Sequence, residues 1–205
     1  FAFLEGGVGW ASMLYADLIG HWEKRNRRAI ESTNPNRLEL GRLLEYAKKY
    51  GSPAVAEAVG RGEGLEGDSN SKLTGGIEDL DDYFRCQIEK KEDIRDLFVP
   101  RYYFGCEADD PVNAWAFNPK ANPMGARLNA LFSSDIGHFD VPDMAEVVPE
   151  AYELVEHGLM SDADFRDFMF ANAVRFWGEV NPDFFKGTVV EKQAAALLAE
   201  PSARR

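Results

Sequence analysis

Apolar positions along this chain switch three times from a short unbroken run to a helical period. The runs are Phe1-Ala2-Phe3-Leu4, then Tyr102-Tyr103-Phe104 with Cys106, then Leu128 with Ala130-Leu131-Phe132. Runs of this length, aromatic and aliphatic and without alternation, predict strands buried on both faces. Gly6, Gly7 and Gly9 close the first run, and Trp10, Met13, Leu14, Leu18 and Trp22 then recur at helical spacing, predicting a helix that buries those five. Asn34-Pro35 and Ser52-Pro53 each place a cap before proline, which predicts two helix starts; the first helix carries Leu40, Leu43, Leu44 and Ala47 to Gly51, the second ends at Gly60. Ile77 to Leu97 predicts one or two charged surface helices.

After the third run, Pro142 and Asp143 open a helix with Val147, Ala151 and Leu154 on one face, stopped by His157-Gly158. Ser161 with Asp164 reads as a capping box before Phe165 and Phe168, and a weakly amphipathic helix covers 189–200. Strands alternating with helices predict an α/β fold with a parallel sheet. Between the first two strands, 27–76 forms a helical insertion whose end, Gly60 to Gly76, is glycine-rich and polar. No strand precedes that stretch and no Gly-Lys-Ser/Thr closes it, so it predicts a flexible loop and not a phosphate cradle.

With 205 residues, 45% of them hydrophobic, the chain can bury a core. A net charge of -12 with a pI near 4.7 argues against nucleic acid and anionic membrane surfaces as partners, because both need Lys and Arg to meet phosphates. No apolar stretch reaches the roughly 20 residues of a membrane span, and the expected compartment is the cytoplasm. Cys86 and Cys106 are far apart and lack zinc-ligand spacing, which predicts two buried thiols in a reducing environment. Because the chain opens inside an apolar run, it is expected to be the carboxyl-terminal part of a longer protein.

Acidic residues follow every run: Glu5 the first, Glu107, Asp109 and Asp110 the second, and Asp135 and Asp140 the third, together with Ser133, Ser134 and His138. In a parallel sheet the carboxyl ends of the strands share one rim, where ligands bind. Carboxylates held close need a cation or a retained proton, and a divalent metal is the usual solution. A carboxylate beside a metal-bound water can serve as its general base, and zinc lowers the pKa of such a water to about 7. Two plainer roles compete: Asp135 or Asp140 capping the helix at Pro142, and His138 holding the loop instead of binding metal or substrate.

The segment FSSDIGHFDVPDM resembles the eighth strand of the amidohydrolase superfamily, in the subgroup related to aminocarboxymuconate-semialdehyde decarboxylase, where a Ser-Asp-x-x-His pattern closes the barrel. FAFLEGGVGW is similar to the sixth strand, RYYFGCEADD to the seventh, and FRDFMFANAVRFWG to the closing helices. The resemblance implies a partial TIM (β/α)8 barrel, about the last three strands with their helices, and a divalent metal, with zinc expected. Asp135 would be the strand-eight aspartate, metal ligand and base, and His138 would serve proton transfer or substrate contact. Many relatives carry a histidine where this chain has Glu5; a carboxylate there would take over acid/base work, bind metal or mark another substrate class. The family's His-x-His pair and strand-five histidine would lie upstream of Phe1, and a complete barrel has roughly 250 residues. The expected function is therefore a metal-dependent hydrolase acting on an amide, ester or lactone-type carbon of a small-molecule substrate, with the segment alone inactive. A non-oxidative decarboxylase on the same barrel and a non-catalytic degenerate barrel are the alternatives. Related barrels often form dimers, which leaves a homodimer open.

Overall fold

A computed structural model describes residues 1–34, 37, 39–62 and 81–200. In chain order the elements are β1 (Ala2–Phe3), α1 (Gly9–Arg25), α2 (Arg27–Ile30), α3 (Leu40–Tyr50), α4 (Pro53–Gly60), α5 (Asp82–Arg85) and α6 (Lys91–Phe98). They continue with β2 (Tyr103–Cys106), β3 (Asn129–Phe132), α7 (Val147–Glu156), α8 (Asp162–Arg166), α9 (Asn172–Gly178) and α10 (Glu191–Ala199). The chain divides into two compact units, 1–19 with 92–205 and 20–91.

The first unit is α/β. Its three strands are parallel in the order β1-β2-β3, with Phe3 beside Phe104 and Cys106 beside Phe132. β2 and β3 end level with one another, whereas β1 stops two residues short and, unlike the buried strand expected there, leaves Phe3 and the flanking Phe1 and Leu4 exposed. All four residues of β2 are buried. Tyr103 meets Phe176 of α9 at 4.9 Å on one face, while Phe104 meets Trp10 at 5.6 Å and stacks on Phe3 at 6.0 Å on the other. Gly105 has no room for a side chain: a Cβ there would lie 3.2 Å from the Leu4 Cα and 3.2 Å from the Ser133 Oγ. Glycine at this position keeps the middle strand clear of Leu4 and the Ser133 hydroxyl just below the rim.

Two buried asparagines tie the sheet down. Asn129 donates from Nδ2 to the Val99 and Tyr102 carbonyls, at 2.6 and 2.9 Å, fixing the approach to β2. Asn172 donates to the Ala130 carbonyl at 2.7 Å from the end of a π turn, Asp167–Ala171, that joins α8 to α9.

The buried face of α1 differs from the expected one. Ala11, Ser12, Tyr15 and Ile19 are buried, whereas Trp10, Met13 and Leu14 are exposed. The helix begins in close contact with the segment after β2, where a Cβ at Gly9 would stand 2.7 Å from the Val112 side chain. The helix after β3 also starts late. Residues 144–146 form a turn, and α7 begins at Val147 with Val147, Ala151 and Leu154 buried as expected. The capping box is present, with the Asp164 N–H on the Ser161 Oγ and the Ser161 N–H on the Asp164 carboxylate.

In the second unit, 20–91, α3 and α4 pack on one another, and the Ser52 Oγ accepts from the Val55 N–H at the start of α4. Pro35 of the other expected helix start and most of the glycine-rich stretch, from residue 63 on, lie outside the described residues. Cys106 is buried as expected but Cys86, beside the short α5, is exposed. Among the described residues no helix is long and apolar enough to cross a membrane.

Candidate functional site

The loop leaving β3 carries the strongest grouping of reactive side chains. Ser133 still donates its N–H to the Cys106 carbonyl at 2.8 Å, and the chain then doubles back. Asp135 takes φ +51° and Gly137 φ +108°, both in the left-handed region. Glycine enters that region freely, and among other residues aspartate is one of the few that tolerates it. The His138 N–H donates to the Asp135 carbonyl and the Val141 N–H to the His138 carbonyl, each at 3.2 Å, so two turns follow one another. Apolar packing fixes both ends of the loop, because Phe132 and Val141 rest on one cluster formed by Ala108, Val147 and Ala151.

This path sets the Asp135 Oδ2 3.0 Å from the His138 Nδ1. One ligand atom each of Asp135, His138 and Asp140 lies within 4.8 Å of the others. The side chains are 31% exposed at Asp135 and 60% exposed at His138, open enough to reach a ligand. At such exposure water screens the pair, and the contact adds little to stability. Its value is positional. Nδ1 faces the Asp135 carboxylate, which leaves Nε2 as the imidazole nitrogen for a ligand. The spacing also suits a cation, since two donors about 2.1 Å from an ion and at right angles are about 3 Å apart.

The remaining expected site residues separate from this group. Glu5, exposed and at φ +62°, lies past the end of β1 and outside the cluster. Asp110 is structural, its Oδ1 accepting from the Val112 N–H at 2.9 Å to start a 3₁₀ segment, Pro111–Phe117. The expected convergence of all the strand-end carboxylates is not seen among the described residues; the group comes from the β3 loop alone. Neither Asp135 nor Asp140 caps α7, which starts at Val147 without a side-chain cap; Asp143 Oδ1 accepts from the Ala145 N–H at 2.9 Å in the turn before it. Asp140, for which sequence reasoning had no catalytic or metal role, completes the cluster. Its signal was the spacing Asp135-x-x-His138-x-Asp140 around a glycine. Cys106, at the same rim, is not a nucleophile: burial, then the nearby Asp110, pushes its thiol up to about 12.

No family model, curated protein or solved structure matches this chain.

Proposed function

We propose that the chain carries the strand-end site of a metal-dependent hydrolase built on an amidohydrolase-type barrel, of which β1, β2 and β3 are neighbouring strands. The observation that carries this reading is the Asp135-His138-Asp140 group at the carboxyl end of β3. Parallel strands adjacent in both sequence and space fit the same architecture. Asp135 and Asp140 would hold the ion. A divalent cation bound there supplies an acidified water, with a pKa near 7 for zinc. Asp135 would also be the carboxylate placed to act as that water's base, with its Oδ2 facing the His138 Nδ1. His138, oriented by Asp135, presents Nε2 to the leaving group or the substrate. Glu5 emerges two strands away, about 10 Å by strand spacing, and supplies a second acid/base or substrate contact across the rim.

The test is metal content by plasma mass spectrometry, with hydrolysis assays on amide, ester and lactone panels, using protein expressed as its gene encodes it. About one equivalent of divalent metal is expected in the parent, lost in Asp135→Ala and Asp140→Ala. His138→Ala should retain the metal and lose turnover. Metal-free parent protein would overturn the proposal, as would an Asp135→Asn enzyme with full turnover. Release of carbon dioxide from an aromatic or muconate-type acid, without hydrolysis, would replace it with the decarboxylase.

A further inference from the structure

A cavity of about 640 Å³ opens at the amino ends of β2 and β3, the opposite end of the strands from Asp135. Its apolar surface comes from Val99, Pro100, Phe117, Met124 and Leu128. Three guanidiniums, Arg95, Arg127 and Arg175, and two carboxylates, Asp96 and Asp167, complete the wall. Three positive charges against two negative leave this wall one positive in a chain whose net charge is -12.

The three arginines are not equivalent. Arg95 is bound through Nε to Asp96 at 2.7 Å. Arg127 pairs with Asp164, set behind it, and with Asp167 at 3.3 Å, and lies over the Phe117 ring at 5.3 Å. Arg175 reaches only the Asp167 carboxylate, at 3.9 Å, which is beyond hydrogen-bond distance and already shared with Arg127. Its side chain is 18% exposed, and among the described residues none accepts a hydrogen bond from it. A guanidinium cannot escape burial by losing its proton, and its planar fork of five N–H donors matches a carboxylate in bidentate fashion. Asp96 and Asp167 in the same wall would repel a dianion such as phosphate, and the apolar floor rewards a ligand with an apolar body. The volume falls in the range that small-molecule sites occupy.

From this arrangement we infer that the cavity is a second ligand site, independent of the metal reading, that takes a small amphipathic monoanion: a carboxylate against Arg175 with an aromatic or branched body on Val99 and Leu128. The probe is phenylacetate, titrated into the parent protein with EDTA present and followed by NMR. Saturable shifts are expected at Val99, Leu128 and the Arg175 side-chain N–H, with neutral phenylacetamide about tenfold weaker and Arg175→Met weaker by about fivefold or more, the loss of a charge-assisted bond. If Arg175→Met does not fold by circular dichroism, Arg95→Met, which also removes a cation from the wall, is expected to weaken phenylacetate severalfold. Absence of saturation up to about 20 mM, shifts confined to other surfaces, phenylacetamide binding as well as phenylacetate, or variants binding like the parent would each overturn the site. EDTA keeps this outcome separate from success or failure of the metal assay.

Discussion

Replacing Asp135 by glycine and by alanine tests whether the turn that builds the site persists in solution. At φ +51° a β-carbon is crowded by the following carbonyl, at a cost of roughly 1–2 kcal/mol for an ordinary side chain and close to nothing for glycine. Glycine's greater freedom in the unfolded chain returns about 0.4–1 kcal/mol of that advantage to alanine. Both variants lose the same exposed contact to His138, so that term cancels in the comparison. Asp135→Gly is therefore expected to exceed Asp135→Ala in stability by about 0.5–1 kcal/mol, the reverse of the order at an ordinary helical or extended position. Urea unfolding of both, metal-free and with equal m-values, measures the difference, and a melting temperature a few degrees higher for the glycine variant should accompany it. An alanine variant as stable as the glycine variant would show that the left-handed turn is not held, and the Asp135-His138-Asp140 grouping would lose its basis.

Asn129→Ala should cost about 3 kcal/mol in urea unfolding, because two buried carbonyls, Val99 and Tyr102, lose their donor. Gly105→Ala should cost about 1–3 kcal/mol, since the new methyl meets Leu4 backbone and the Ser133 hydroxyl at 3.2 Å. Burial raises the Asp164 carboxyl, but the Ser161 hydrogen bonds and Arg127 outweigh it and hold it below the usual range. Its contribution is thus complete above the unfolded value near 4 and is lost as pH falls through the lower folded value. Ser161→Ala should lose about 1 kcal/mol at pH 7, and the gap should narrow below about pH 4. With Ellman's reagent, exposed Cys86 should react at once and Cys106, raised to about 12, only after unfolding.

Strands β2 and β3 were legible because burial on both faces leaves a short apolar run bounded by turn residues, whereas the run at β1 marked a strand but not its burial, since Phe1, Phe3 and Leu4 are exposed. Ser161 with Asp164 was legible for a similar reason, since a cap is decided within four residues. The face of α1 was not. Hydrophobicity ranks Met13 and Leu14 above Ala11 and Ser12, yet it is Ala11 and Ser12, with Tyr15 and Ile19, that face the core, because the packing partners lie in distant parts of the chain. Asn129 and Asn172 escaped notice because their worth depends on carbonyls contributed by distant chain. At the site, the sequence pointed to Asp135 and His138 but spread its expectation over every acidic strand end. Asp110 was drawn off by its own backbone cap, while the left-handed turn at Asp135 and Gly137 folded Asp140 in.

Phe132 and Val141, resting on the same three buried residues, divide labour along the loop. Anchorage belongs to these two apolar side chains, and in the proposed function chemistry belongs to the polar ones between them. The stretch from Ser134 to Asp140 therefore behaves as an exchangeable cassette. Side chains there can be exchanged without rebuilding the core beneath, except at Asp135 and Gly137, whose left-handed backbone restricts the residues tolerated, and a library over the other five positions would test the proposed site on an unchanged foundation.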